Sequence, residues 1–166
     1  MADATPPSPL KPGRPAPTFR LPSSTGETVD LRHVAARGPV VLFFYPKADT
    51  PGCTKEACGF RDDLATFAQA GVSALGISPD SPKAVRKFAE KFKLDFPLLA
   101  DEDHAVADRY GLWQEKTLYG RKFMGVVRTT VVIARGGKVL HIFDRVKPEG
   151  HSRQVLDWLS QHPALE

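Results

Sequence analysis

Residues 40–58 read VVLFFYPKADTPGCTKEAC. The first six, Val40 to Tyr45, form an unbroken apolar run rich in β-branched and aromatic side chains. A run this short and this apolar fits a strand buried on both faces, and Pro46 ends it. Thr50-Pro51 then reads as a helix start, with Thr50 at the N-cap and Pro51 at the first helical position. Ala57, Phe60, Leu64 and Phe67 follow at spacings of three, four and three, the inner stripe of one helix that Gly71 stops. The only two cysteines of the chain, Cys53 and Cys58, both fall within this helix.

Working outward, Val72–Ile77 reads as a second buried strand. Ser81-Pro82 repeats the cap-and-proline start, and Val85, Phe88, Ala89 and Phe92 give the helix that follows its inner face. Leu98-Leu99 reads as a short strand end, and residues 103–110 as a short helix stopped by Gly111. Residues 125–134 alternate as a strand, Gly136-Gly137 turns the chain, and Lys138–Phe143 returns as the other arm of a hairpin. A last helix over about residues 151–161 turns Val155, Trp158 and Leu159 inward. Strand–helix–strand units need parallel pairing, whereas a hairpin adds antiparallel strands. The expected fold is therefore α/β, with a mixed central sheet flanked by helices. Its order, βαβ followed by ββα, is the thioredoxin-like plan.

The 166 residues are 42% hydrophobic and 25% charged, a globular balance sized for one domain. Residues 1–17 hold six prolines and few large apolar groups. We assign residues 1–15 as a flexible proline-rich tail and 16–163 as the domain. The net charge of +4 is scattered, with no Lys/Arg run and no interleaved basic and aromatic stripe, so no nucleic-acid partner is expected. No apolar run is long enough to span a membrane, and the N-terminal stretch lacks the basic and apolar regions of a secretory signal. The expectation is a cytoplasmic protein without a membrane partner. In a reducing compartment, a close pair of cysteines points to catalysis or metal binding more than to a structural disulfide.

Cys53 falls at the third helical position, facing unsatisfied N–H groups and the positive end of the helix dipole. Both favour the thiolate, the reactive form of the side chain. Cys53 also lies four residues before Ala57, so it should turn into the core side and line a sheltered pocket. An inert buried cysteine is the plainer alternative. Cys58 stands five residues on, a net rotation of about 140° and a rise of about 7.5 Å. The two Cα atoms are then about 8.7 Å apart, beyond the ~7 Å reach of a disulfide. Either the two never bond, or the first turns unwind to let them. Arg128 sits in the alternating stretch with Val126, Thr130 and Val132, where a charge needs a partner or a task; an edge-strand arginine is the alternative.

The string Pro46-x-x-x-Thr50-x-x-Cys53 resembles the active-site signature of the peroxiredoxins. With Cys58 at its spacing, YPKADTPGCTKEAC is similar to the bacterioferritin comigratory protein, or peroxiredoxin Q, branch. GISPDSPKAVRKFAEKF, FPLLADEDHAVADRYGLW and GVVRTT extend the likeness over about residues 15–163. The resemblance implies that Cys53 is the peroxidatic cysteine, attacking a hydroperoxide and becoming a sulfenic acid. It implies that Cys58 resolves this acid as an intramolecular disulfide, which thioredoxin or a similar dithiol protein recycles. Thr50 would hydrogen-bond thiolate and peroxide, Pro46 would shield the pocket, and Arg128 would be the active-site arginine. Glu56 would orient Arg128, or else lie at the surface. No metal or other cofactor is implied, and a monomer is. The turn Ala134-Arg135-Gly136-Gly137 departs from the branch, which places an Asp there. No cysteine lies on the next helix, where some members carry their resolving thiol.

A disulfide reductase of the same fold would use C-x-x-C, not C-x-x-x-x-C. A copper or zinc carrier would need a histidine beside the thiols, and His33, His104, His141, His151 and His162 are dispersed. A redox sensor or chaperone could use the same unwinding, and turnover separates it from a peroxidase.

Overall fold

A computed structural model describes residues 10–162 of the chain. In chain order its elements are β1 (Arg20–Pro22), β2 (Thr28–Asp30), α1 (Leu31–Arg37), β3 (Val40–Phe44), α2 (Pro51–Asp62), α3 (Leu64–Gln69), β4 (Ser73–Ser78) and α4 (Pro82–Phe92). There follow β5 (Leu98–Ala100), α5 (Ala105–Arg109), β6 (Trp113–Leu118), β7 (Arg121–Val126), β8 (Thr129–Ile133), β9 (Val139–Phe143) and α6 (His151–Ser160).

The central sheet runs β5-β4-β3-β8-β9. β3 pairs in parallel with β4, and β4 with β5, while β8 runs antiparallel to β3 and to β9. This is the mixed, helix-flanked thioredoxin-like sheet expected. β3 lies at its centre and is buried throughout. Its side chains alternate between two cores, as the pleat requires. Val40, Leu42 and Phe44 face the core that also holds Leu31 and Val34 of α1 and Val106 and Ala107 of α5. Val41, Phe43 and Tyr45 face the other core, with Ala57 and Phe60 of α2, Val85 and Phe88 of α4, and Val155 and Leu159 of α6. Phe43 and Phe60 stack with centroids 4.4 Å apart and planes 8° from parallel, which fastens α2 to β3. Gly76 makes room beneath them: a Cβ there would stand 2.8 Å from Phe43 Cζ.

Several elements depart from the expected ones. The single helix is broken at Asp63, whose carboxylate is taken by α6: Ser152 Oγ donates to it at 2.8 Å, and Arg153 lies 3.5 Å away. The strand over 125–134 is two strands in different sheets. β7 pairs with β6 in a separate hairpin, β8 enters the central sheet, and Val127-Arg128 is the link. Val126 and Val132 consequently face opposite cores. β1, β2, α1 and the β6–β7 hairpin are elements that the sequence pattern does not mark. Residues 1–9 of the assigned tail and residue 163 of the assigned domain lie outside the described residues. From Leu10 the chain packs on the domain: Leu10 lies against the first core, and the Gly13 N–H donates to Val139 O at 2.8 Å. Among the described residues no helix is long and apolar enough to cross a membrane.

Candidate active site

The site forms where β3 ends and α2 begins. Half-buried Pro46 stops the strand, and the loop that follows is held by the Ala48 N–H, which donates to Asp80 Oδ2 at 2.8 Å. Thr50 takes the N-cap conformation (φ −97°, ψ 156°), Pro51 opens the helix, and the Thr54 N–H donates to Thr50 O at 2.8 Å. Cys53 is therefore at the third helical position, as read from the sequence. It is only 1% exposed and packs with Ala57 and Phe60. The Thr50 side chain makes no cap bond; its hydroxyl donates to Lys47 O at 2.9 Å. The hydroxyl proton is thus committed to a carbonyl, and the oxygen keeps lone pairs able to accept from an incoming O–H.

Arg128 reaches this point from the β7–β8 link. Its carbonyl accepts from the Val146 N–H at 2.9 Å, which fixes the backbone from which the side chain extends. Nη2 donates to Cys53 Sγ at 3.2 Å and Nη1 to Glu56 Oε1 at 2.6 Å. Glu56 lies one helical turn after Cys53, on the same face, so one guanidinium bridges both. Gly52 permits the approach, since a Cβ there would stand 3.3 Å from both Arg128 Nη2 and Pro148 Cγ. Of the alternatives left open for Glu56, the structure selects the first: its side chain is 0% exposed and holds Arg128.

Burial pushes the Glu56 carboxyl up to about 7, with the Arg128 charge holding it from going higher. For Arg128, burial alone would lower the pKa, but the charges of Cys53 and Glu56 prevail and raise it. A guanidinium fixed in charge and geometry beside a sulfur at a helix N-terminus stabilises negative charge there. Such an arrangement suits a reaction that begins on a thiolate and delivers charge to a departing oxygen.

Cys58 is half-buried and unbonded on the same unbroken helix. Around it α2 is tied down: Lys55 pairs with Glu149 at 3.2 Å, and a Cβ on Gly59 would come 3.0 Å from Ser152 Oγ. Pro46, Thr50, Cys53 and Arg128 come from the two ends of one β-to-α loop and the facing link, while Cys58 stands apart along α2. Lys116, on the unanticipated strand β6, also approaches the site. Its ammonium group donates to Val126 O at 2.9 Å and is electrostatically coupled to Arg128 and Cys53. Nothing in its sequence neighbourhood announced this. Among the described residues no three His, Cys, Asp or Glu side chains gather as a metal ligand set.

The AhpC/TSA family model matches residues 12–142. Peroxiredoxin Bcp of Escherichia coli K12 is 46% identical over 155 residues, covering 93% of this chain and 99% of that protein. The chain belongs to the peroxiredoxins. Its place is in the bacterioferritin comigratory protein or peroxiredoxin Q branch. The crystal structure of peroxidoxin BcpB from Mycobacterium tuberculosis superposes on this peroxiredoxin with a TM-score of 0.82 at 42% identity, covering 92% of this chain and 98% of that one. A cysteine-to-serine mutant of PrxQ from Xylella fastidiosa gives a TM-score of 0.87 at 30% identity, covering 93% and 98%.

Proposed function

We propose that this peroxiredoxin is a thioredoxin-dependent thiol peroxidase, acting as a monomer in the cytoplasm on hydrogen peroxide and organic hydroperoxides. The observation that carries the reading is the 3.2 Å bond from Arg128 Nη2 to Cys53 Sγ, with Glu56 holding the other arm of the guanidinium. The Cys53 thiolate attacks the hydroxyl-bearing oxygen of the peroxide. An S–O bond forms as the O–O bond breaks, sulfur is oxidised by two electrons, and the departing alkoxide takes the electron pair and then a proton. Arg128 donates toward the charge that develops, and the Thr50 oxygen accepts the peroxide O–H. The products are a Cys53 sulfenic acid and an alcohol, or water.

Cys58 then attacks the sulfenic sulfur, and water leaves as the disulfide forms. An intact α2 keeps the two Cα atoms about 8.7 Å apart, so this step requires the helix to unwind between them. Unwinding breaks the Glu56–Arg128 and Lys55–Glu149 pairs and withdraws Cys53 from its pocket. The exposed disulfide is the species that a dithiol protein reduces. Steady-state oxidation of NADPH through thioredoxin reductase and thioredoxin tests the reading. Peroxide-dependent turnover that vanishes in Cys53→Ser supports it. Equal turnover in wild type and Cys53→Ser would end it.

A further inference from the structure

β6 and β7 form a two-stranded sheet of their own, outside the central sheet. Its far end carries Leu118, Tyr119, Phe123 and Met124, the large apolar side chains that stand exposed among the described residues. Tyr119, at the turn, is 95% exposed, and the other three lie between 44% and 56%. Cations stand between them: Lys116, Arg121 and Lys122. Among the described residues none of the three pairs with a carboxylate. Glu115, toward the base, is the one acid of residues 113–126. Exposure falls at the base, where Trp113 is half-buried and Val126 buried. The tip therefore leads and the domain stands behind it.

The register decides what such a tip fits. Lys116 lies opposite Phe123 and Leu118 opposite Arg121, so these four share one face of the hairpin. Thr117 lies opposite Lys122 and Glu115 opposite Met124, on the other face. Apolar and cationic side chains thus occur on both faces, and Tyr119 and Gly120 close the end at positive φ (52° and 76°). A flat protein partner covers one face of a hairpin and leaves the other in water. The headgroup layer of a bilayer surrounds an inserted tip on all sides. Apolar side chains there reach the acyl boundary, tyrosine suits the interface, and Lys and Arg extend their stems to meet anionic phosphates.

We propose that the β6–β7 tip docks this protein on anionic lipid surfaces. Leu118, Tyr119, Phe123 and Met124 enter the interface, and Arg121 and Lys122 bind the phosphates. The proposal goes beyond the peroxidase reading and does not depend on the chemistry at Cys53. A docked tip is not a spanning segment, and it replaces the expectation of no membrane partner.

The test sediments the full reduced chain with vesicles of phosphatidylcholine alone and of phosphatidylcholine with 30% phosphatidylglycerol. Binding to the anionic vesicles is expected at low salt, weakening as salt rises, with little binding to the neutral ones. Each Lys or Arg near an anionic surface strengthens binding about fivefold, so Arg121→Gln with Lys122→Gln should weaken it about twenty-five-fold. Leu118→Ser with Phe123→Ser should weaken it at least about tenfold. All four side chains are exposed, so both double variants should keep the wild-type Tm. Tyr119→Trp reports insertion: its emission should shift to the blue on anionic vesicles and be quenched by brominated lipid. No binding to anionic vesicles at low salt overturns the proposal. Binding undiminished in both double variants overturns it too, since the surface then lies elsewhere. Binding with Tyr119→Trp emission unshifted and unquenched overturns insertion of the tip. A free protein that dimerises through these residues, or a KM for thioredoxin raised in both variants, with vesicles left unbound, overturns the lipid surface in favour of a protein one.

Discussion

Arg128→Met separates what Arg128 does for the reaction from what it does for the fold. Methionine keeps much of the apolar stem and removes the charge and both hydrogen bonds. The chemical effect follows from the 3.2 Å contact with sulfur. Losing one oriented donor aimed at developing charge lowers the rate of Cys53 oxidation about a hundredfold to a thousandfold. The structural effect follows from Glu56, whose side chain is 0% exposed and would be left without its counter-charge. Removing one partner of a buried ion pair costs about 3–5 kcal/mol while the other stays charged. Glu56 can escape part of this by taking up a proton. In wild type burial already raises it from 4.5 to about 7, so the folded state holds its proton more tightly than the unfolded chain. Its contribution to stability is full below about pH 4.5 and is lost as pH rises through about 7, about 3 kcal/mol across the window. Without Arg128 the folded pKa moves higher still, and the loss continues above pH 7. The stability deficit of Arg128→Met relative to wild type is therefore expected to grow between pH 6 and pH 9. Adding Glu56→Gln removes the titrating group, so the pH dependence of the deficit should disappear while the rate stays low. Denaturant melts at the two pH values and single-turnover oxidation of Cys53 read the two effects. A deficit equal at both pH values, or a double variant that regains the wild-type rate, would remove Arg128 from one of these two roles.

Three further substitutions probe the same constellation. Thr50→Val removes a hydroxyl that makes no cap bond, so stability should fall by about 1 kcal/mol at most, while the rate of Cys53 oxidation falls at least about tenfold; melts and stopped-flow oxidation distinguish a cap from a catalytic group. Gly52→Ala places a Cβ 3.3 Å from Arg128 Nη2 and Pro148 Cγ. It should displace the guanidinium and slow oxidation by about threefold to tenfold, with a nearly unchanged melting temperature. Cys58→Ser should leave the first oxidation at its wild-type rate and stop thioredoxin-linked cycling, with a sulfenic acid trapped by dimedone; continued cycling would remove Cys58 from the mechanism.

The parts of the site that were legible in the sequence are those set by local rules. The apolar run Val40–Tyr45 announces a strand buried on both faces, and Thr50-Pro51 fixes the register that puts Cys53 at the third helical position. Ser81-Pro82 works in the same way: Ser81 Oγ accepts from the Ala84 N–H at 3.1 Å. What escaped depends on distant partners. The break at Asp63 is made by Ser152 and Arg153, which no period in α2 reveals. Alternation shows that residues 125–134 are extended, but not that the chain changes sheets at Val127-Arg128. The β6–β7 hairpin hides because Leu118, Tyr119, Phe123 and Met124 are exposed, so no period-two burial marks its strands. Its turn sets Tyr119 and Gly120 at positive φ (52° and 76°), with tyrosine where asparagine or glycine would have been the signal. Glu56 reads as one more charge on a helix until Arg128, 72 positions away, is brought against it.

In the proposed mechanism Cys53 reacts first, and α2 unwinds to let Cys58 complete the reaction. The most direct measurement mixes reduced protein with one equivalent of hydrogen peroxide, quenches at intervals with an alkylating reagent, and maps the peptides by mass spectrometry beside hydrogen exchange of the α2 amides. A Cys53–Cys58 disulfide that thioredoxin clears is expected, with loss of amide protection from Cys53 to Cys58 as it forms. Two unreacted thiols, or a disulfide formed while α2 stays protected, would contradict this mechanism.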